Sequence, residues 1–292
     1  MQMNKQPLVS VVIPCYNHES FVQDSIQSVI DQTYENIELI IIDDGSKDTS
    51  VEKIQEMLTL CEERFTRFEF RHRPNKGLSA TLNEALEWSK GKYYSVLASD
   101  DQFIATKTAL QVNYLEKNIN TVAVLGAVYW VDNLNKIISK RVMKEKKYSF
   151  KDIFLLKHNL NVCTQMARLD IIKEVGGYKD GFVVEDWYMW LKLSEKGEIV
   201  NLPTLFSKYR KHDSNTINNG HIIYIGLMQT VFEYKEHYLY FRALKKIIWG
   251  YVASVIIADK KKGWIFFKNI FFSDVLSVFS KNFYRCVRNF LK

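Results

Sequence analysis

A chain of 292 residues with 47% hydrophobic and 14% aromatic residues carries enough apolar surface for a large core, which excludes an intrinsically disordered protein. Twelve Gly and four Pro exclude a long flexible linker, and the chain shows neither an internal repeat nor a low-complexity tract. The net charge of +7 is lodged in the tail: residues 241–292 hold eleven Lys and Arg against Asp259 and Asp274, so residues 1–240 are slightly acidic.

The first six residues are polar and lack the apolar segment of a signal peptide, so a cytoplasmic chain is expected. Residues 8–14 (LVSVVIP) form a short, β-branched apolar run that predicts a strand buried on both faces. Phe21, Val22, Ile26, Val29 and Ile30 recur at helical spacing, with Asn17 or Ser20 available as the cap. A second buried strand follows at residues 37–43 (IELIIID). The alternation continues with a helix at 48–60, a strand at 67–71, a helix at 78–88 and a strand at 93–98. Such a rhythm predicts parallel strands joined by right-handed crossovers, with helices on both faces. Further along, 106–117 and 182–195 read as helices and 122–131 as a strand, and a boundary near residue 215 separates a helical, aromatic region.

Ligands of open α/β sheets bind beyond the carboxyl ends of the strands, and each early strand here ends in a polar cluster. Tyr16 and Asn17 follow the first strand, Asp43-Asp44-Gly45-Ser46 the second, Arg73-Pro74-Asn75-Lys76-Gly77 the third, and Ser99-Asp100-Asp101 the fourth. Acids closing a buried apolar run cost free energy unless a cation or hydrogen-bond donor meets them. Asp-Asp-Gly-Ser by itself also suits a turn and helix cap, but a second acidic pair shifts the balance toward a site. Asp100 and Asp101 offer hard oxygen ligands of the kind Mg2+ or Mn2+ takes together with phosphates. Cys15, Cys61, Cys163 and Cys286 have no CxxC pairing and the six histidines show no metal-ligand spacing, so any metal is expected on oxygen ligands.

Six motifs in order, Val11-Val12-Ile13-Pro14-Cys15-Tyr16-Asn17, Ile42-Asp43-Asp44-Gly45-Ser46-Lys47-Asp48-Thr49, Asn75-Lys76-Gly77, Ala98-Ser99-Asp100-Asp101, Glu185-Asp186-Trp187 and Tyr209-Arg210-Lys211-His212, make the chain resemble a family 2 glycosyltransferase of the bacterial surface-polysaccharide type. The resemblance spans about residues 7–215 and implies an α/β GT-A fold, a Rossmann-like, mostly parallel sheet in a domain of residues 1–215, with a helical extension at 216–292. It implies an inverting enzyme using a nucleotide-sugar donor, UDP-linked by expectation, with Mg2+ or Mn2+, and a glycan or lipid-linked acceptor. Pro14, Tyr16, Asn17, Asp43, Asp44 and Ser46 are expected around the nucleotide, with Asp44 accepting from the uracil imide. Arg73, Asn75, Gly77, Ser99 and Asp100 complete the donor site. Asp100 falls on the metal position, with Asp101 beside it, although Ala98 stands where similar enzymes carry an acid. Asp186 is the expected general base, with Glu185 and Trp187 as support or acceptor contacts, although acids in a first helical turn also complement the helix dipole. Tyr209, Arg210, His212 and Ser214 would fold over the diphosphate, Arg210 or His212 meeting phosphate or the metal.

A sugar nucleotidyltransferase also needs acids, metal and an α/β sheet, but Pro14-Cys15-Tyr16-Asn17-His18 is not the glycine-rich phosphate loop it uses. A non-catalytic assembly protein retaining the fold is the third reading. In the tail, 247–258 is too short to span a bilayer, and 264–280 is interrupted by Lys268 and Asp274. Phe266, Phe267, Ile270, Phe271, Val275, Leu276, Val278 and Phe279, flanked by Lys260, Lys261, Lys262, Lys281, Arg285 and Arg288, suit an amphipathic helix on an anionic membrane, at the inner face of the cytoplasmic membrane. The alternative is an aromatic face packed inside the protein. No nucleic-acid-binding motif accompanies these residues, so nucleic acid is not an expected partner.

Overall fold

The computed structural model describes residues 6–212, 215, 218–273 and 281–291. The first five residues, Ser214 and the 274–280 part of the expected amphipathic helix lie outside them. Two compact units emerge, one comprising residues 1–153, 158–181 and 185–212 and the other 154–157, 182–184 and 213–292.

In the first unit, β1 (Val9–Cys15), α1 (Val22–Ile30), β2 (Ile37–Asp43), α2 (Ser50–Gln55), α3 (Leu58–Arg64), β3 (Arg67–His72), α4 (Leu78–Trp88) and β4 (Tyr93–Val96) follow the predicted alternation. β1 and β2 are buried almost throughout because both sheet faces are covered. Val11, Ile13, Leu39 and Ile41 join a core with Val22 and Ile26 of α1 and Cys61 of α3, whereas α4 packs on β1 and β2. The predicted helix at 48–60 is two helices, with a turn at Glu56 and Met57 that buries Met57 in this core. The register pairs Cys15 with Asp43 and Asp43 with His72, so the loops after β1, β2 and β3 leave one edge of the sheet together.

Beyond β4 come β5 (Gln102–Phe103), α5 (Lys107–Lys117), β6 (Thr121–Val131), β7 (Ile137–Arg141), β8 (Lys146–Tyr148), α6 (Phe150–Phe154), β9 (Met166–Arg168), α7 (Leu169–Glu174), α8 (Glu185–Ser194) and β10 (Glu198–Arg210). Among the described residues ten strands form one sheet, ordered β3-β2-β1-β4-β9-β6-β10-β5, with β7 on β6 and β8 on β10. The β3-β2-β1-β4 block is parallel as expected, but β9 runs antiparallel to β4 and β6, and β5 and β8 antiparallel to β10, so the whole sheet is mixed. β7 returns antiparallel on β6 through the short turn at residues 132–136, as a hairpin allows.

The second unit carries α9 (Gly220–Glu233), α10 (Tyr240–Ala258), α11 (Lys260–Ser273) and α12 (Lys281–Leu291). Trp249, Val252, Ala253, Ile256, Phe267 and Cys286 form its core, with Phe271, Phe283 and Val287 against them. α11 approaches α10 at Gly263, where a Cβ would sit 2.6 Å from the Ile256 Cα, a distance only glycine permits. Phe267 and Phe271 of the expected membrane helix therefore point into this core, whereas Trp264, Ile265 and Phe266 are exposed. Among the described residues, no helix is long and apolar enough to cross a membrane.

Candidate active site

The loops after β1 and β2 are stitched into one surface. The Asn17 N–H donates to Ser46 Oγ at 2.8 Å, and the Lys47 N–H donates to Asn17 Oδ1 at 2.8 Å. Asn17 takes a positive φ of 53°, which Asn tolerates better than most residues. With its amide oxygen so engaged, Asn17 does not cap α1. Ser20 does not either, since the helix begins at an uncapped Phe21 and the His18 carbonyl accepts from the Phe21 and Val22 N–H groups. Pro14 is half-buried, and Tyr16 is exposed at the rim.

Asp43, expected at the nucleotide, is fully buried and consumed by its own turn. Its carboxylate accepts from the Gly45 and Ser46 N–H groups and the Ser46 hydroxyl, and His72 Nδ1 lies 2.8 Å away. It shapes the loop rather than facing a ligand. Gly45 (φ 79°) brings this turn against the loop after β3, since a Cβ there would stand 2.7 Å from the Asn75 nitrogen.

Asp44 is the acid that looks across this junction. Oδ1 accepts from Arg73 and from the Lys76 N–H at 2.8 Å, and Oδ2 accepts from the Gly77 N–H at 2.9 Å. An ionised carboxylate has about four lone-pair sites, so three internal donors leave one on Oδ2. Arg73 is fixed in turn by Glu84 at 2.7 Å and Thr81 at 2.9 Å, and Glu84 also pairs with Arg71 at 2.9 Å. Burial lowers and these acids raise the affinity of Arg73 for its proton, the acids prevailing. Asn75 is exposed, and Gly77 (φ 87°) precedes α4.

At the end of β4, Asp100 Oδ2 stands 2.9 Å from His212 Nε2, both groups largely shielded. Ser99 Oγ lies 2.7 Å from His18 Nδ1. His18, Asp100 and His212 bring one ligand atom each within 4.8 Å of one another. Ligands around one ion with bonds of about 2.0–2.4 Å are about 3 Å apart in adjacent positions and somewhat over 4 Å across it, so this set fits a divalent cation. Residue spacing pointed to oxygen ligands alone, whereas the resemblance named His212; the fold brings His212 and His18, remote in sequence, beside Asp100. Asp101, expected beside Asp100, is turned inward. It accepts the Arg210 N–H at 2.8 Å, and burial first, then the Asp100 charge, raise its pKa well above the carboxylate range.

Arg210 is not available for phosphate. It is fully buried, and its five N–H donors go to Asp100 O, Asp132 O, Asn133 O, Asp24 Oδ2 and Asn135 Oδ1, at 2.7–3.2 Å. The guanidinium also sits 4.7 Å over the Phe21 ring, on which His212 stacks at 5.3 Å. Arg210 therefore clamps the Asp100 loop and the base of His212.

α8 starts at Glu185, later than predicted, and presents two half-buried acids. Asp186 Oδ1 accepts the Trp187 N–H at 2.7 Å, and burial raises its pKa to about 6. Glu185 is raised further, by burial and then by the Asp186 charge. Trp187 is buried, its indole donating to the Ile153 carbonyl at 3.0 Å, so it anchors the helix rather than meeting an acceptor. The Tyr209 phenol is shifted upward, first by burial and then by neighbouring acidic groups.

Residue spacing in the sequence gave no sign of His18, Asp24 or Asn135 in these roles. Lys107 was equally silent: it reads as a surface helix residue yet is fully buried, donating to Ser95 Oγ at 2.7 Å over the Phe103 ring, and burial lowers its pKa to about 7.

The sequence profile described as "Glycosyl transferase family 2" matches residues 10–175. WfgD of Escherichia coli, described as a UDP-Glc:alpha-D-GlcNAc-diphosphoundecaprenol beta-1,3-glucosyltransferase, is 32% identical over 215 residues, 73% of this chain and 80% of that one. Other curated relatives are longer, and the match spans only about a third of them. Among solved structures, S. aureus TarS 1-349 in complex with UDP-GlcNAc aligns with a TM-score of 0.65 at 14% identity, over 97% of this chain and 79% of that one. The mannosyltransferase PcManGT from Pyrobaculum calidifontis, in complex with GDP-Man and Mn2+, aligns with a TM-score of 0.61 at 12% identity, over 98% and 85%. Both likenesses are of fold.

Proposed function

Since this chain belongs to glycosyltransferase family 2 and has the GT-A fold, we propose that it transfers a sugar with inversion from a UDP-sugar to a hydroxyl of a lipid-linked glycan in cell-surface polysaccharide synthesis. The observation that carries this reading is the Asp100–His212 pair at 2.9 Å beyond β4, in one unit with the Asp44 junction and with Asp186 at the start of α8. Asp44 holds the base: its remaining lone pair accepts the imide N–H of uracil, which cytosine lacks, while Tyr16, Asn17 and Ser46 flank the ribose. Asp100 and His212 hold a divalent cation, Mg2+ or Mn2+, which when bound offsets charge on the diphosphate. The acceptor oxygen bonds the anomeric carbon as the bond from that carbon to the diphosphate oxygen breaks. The nucleotide diphosphate leaves with that electron pair, and Asp186 takes the hydroxyl proton. The diphosphoundecaprenol acceptor named for WfgD supports a lipid-linked acceptor here.

A panel of nucleotide sugars tests the donor. UDP-sugars are expected to be hydrolysed at least about tenfold faster than CDP- or GDP-sugars, and equal rates across the three bases would remove Asp44 as the base reader.

A lipid-linked acceptor calls for a membrane face, for which we propose the exposed part of α11 in the second unit. Trp264, Ile265 and Phe266 are exposed beside Lys260, Lys261, Lys262 and Lys268, the pairing of apolar wedge and basic rim that binds an anionic bilayer from the cytoplasmic side. The full chain is expected to float with anionic vesicles and an Ile265→Glu/Phe266→Glu variant to stay at the bottom of the gradient. Equal flotation of the two would rule out this face.

A further inference from the structure

We propose that His18 is the third protein ligand of the cation held by Asp100 and His212, and that this set of two imidazoles and one carboxylate ranks first-row transition ions above Mg2+. The inference rests on the cation reading given above and names a ligand and a selectivity which that reading does not contain.

His18 lies on the loop after β1, far from the strand-end acids in sequence, yet its ring is held on several sides. Its backbone N–H donates to Ser50 Oγ at 2.9 Å, and its ring meets Phe21 and His212 edge-on at centroid distances of 6.1 and 5.9 Å. Nδ1 stands 2.7 Å from Ser99 Oγ, which leaves Nε2 as the nitrogen for a cation. A ligating imidazole whose other nitrogen is fixed by a neighbouring group is the usual arrangement at metal sites, because that contact sets the tautomer and the ring plane. Ser99 precedes Asp100, so one short segment places a carboxylate ligand and orients an imidazole ligand together.

The chemistry of the set decides its selectivity. Mg2+ prefers an all-oxygen octahedron, retains waters and gains little from imidazole, whereas transition ions bind nitrogen well. Replacing oxygen ligands by two imidazoles therefore lowers the affinity for Mg2+ relative to Mn2+ and the ions after it.

The test uses the full chain and the metal alone, without nucleotide. Mn2+ binding is followed by loss of the free-ion electron paramagnetic resonance signal, with Mg2+ as competitor. Mn2+ is expected to bind at least about tenfold more tightly than Mg2+. His18→Ala and His18→Gln are each expected to weaken Mn2+ by about 10- to 100-fold and to change Mg2+ by less than about threefold. X-ray absorption of the unaltered chain loaded with Zn2+ is expected to count two imidazoles, a reading that does not depend on any variant folding. Equal affinity for the two ions, unchanged Mn2+ binding in both His18 variants, or a single imidazole at zinc would each overturn the proposal. Asp100→Ala separates the two levels. If it abolishes Mn2+ binding while the His18 variants do not, only the third ligand falls; if it too binds Mn2+ normally, the cation reading itself falls.

Discussion

Replacing Asp186 with Asn is expected to slow sugar transfer by about 10²- to 10⁴-fold, the range that removal of a positioned general base produces, and to leave UDP affinity unchanged. The base and cation positions lie on other elements, so donor binding has no reason to follow. The pH profile provides a second reading of the same residue. The carboxylate must be ionised to accept a proton, and its pKa is raised to about 6 by burial. Activity should therefore fall as pH drops through about 6, instead of through the ordinary aspartate range. Glu185 is raised further still and stays protonated near neutrality, so Glu185→Gln mimics its working state and is expected to keep transfer within about threefold. Stability has the opposite sign. A carboxyl whose folded pKa is raised costs stability when ionised, so Asp186→Asn at pH 8 should melt no lower than the unaltered chain. Loss of activity accompanied by a lower melting temperature would point to structural damage, and transfer by Asp186→Asn at the normal rate would remove it as the base.

How much of this was legible depended on the range of the signal. The parallel block could be read because burial on both faces writes itself locally, as in the unbroken apolar runs of β1 and β2. The strand-end clusters followed from topology, since aligned registers bring consecutive loops to one edge. Acids in or after those strands could not be sorted without the partners. Glu38 lies in the middle of β2, meets Ser10, Lys90 and Gly91, and pairs with Arg67, away from the nucleotide loops. Asp43 and Asp44 are neighbours, yet one feeds its own turn and the other reaches across to the next loop. His212 was reached through the family resemblance, whereas His18 stayed hidden because groups brought together from the ends of the first and last strands leave no spacing rule to find. The mixed half of the sheet was hidden for a related reason: β10 changes register three times along β6, and such bulges have no pattern in residue type.

Arg210→Met is expected to lower the melting temperature by about 6–20 °C, the largest effect among substitutions outside the catalytic acids. The estimate follows from what the guanidinium leaves behind. The backbone carbonyls of Asp100 and Asn133 lose this donor, that of Asp132 keeps only the Asn135 N–H, and Asp24 and Asn135 lose a shared partner. Breaking a buried charged hydrogen-bond group costs about 3–5 kcal/mol. Asp24 is 42% exposed and recovers water, which favours the lower end. At about 2–4 °C per kcal/mol for a domain of this size, a fall of several degrees results even there. Arg210→Lys separates stability from function. Lysine keeps the charge over Phe21 but has three donors without the planar fork, so it can retain the Asp24 pairing while releasing the Asp100 carbonyl. Mn2+ binding should then weaken more than the melting temperature suggests, because Asp100 and His212 lose their fixed spacing. If Arg210→Met melts within a degree of the unaltered chain, the clamp contributes nothing to the fold. If Arg210→Lys binds Mn2+ normally, the carbonyl contact does not set the geometry of the cation site.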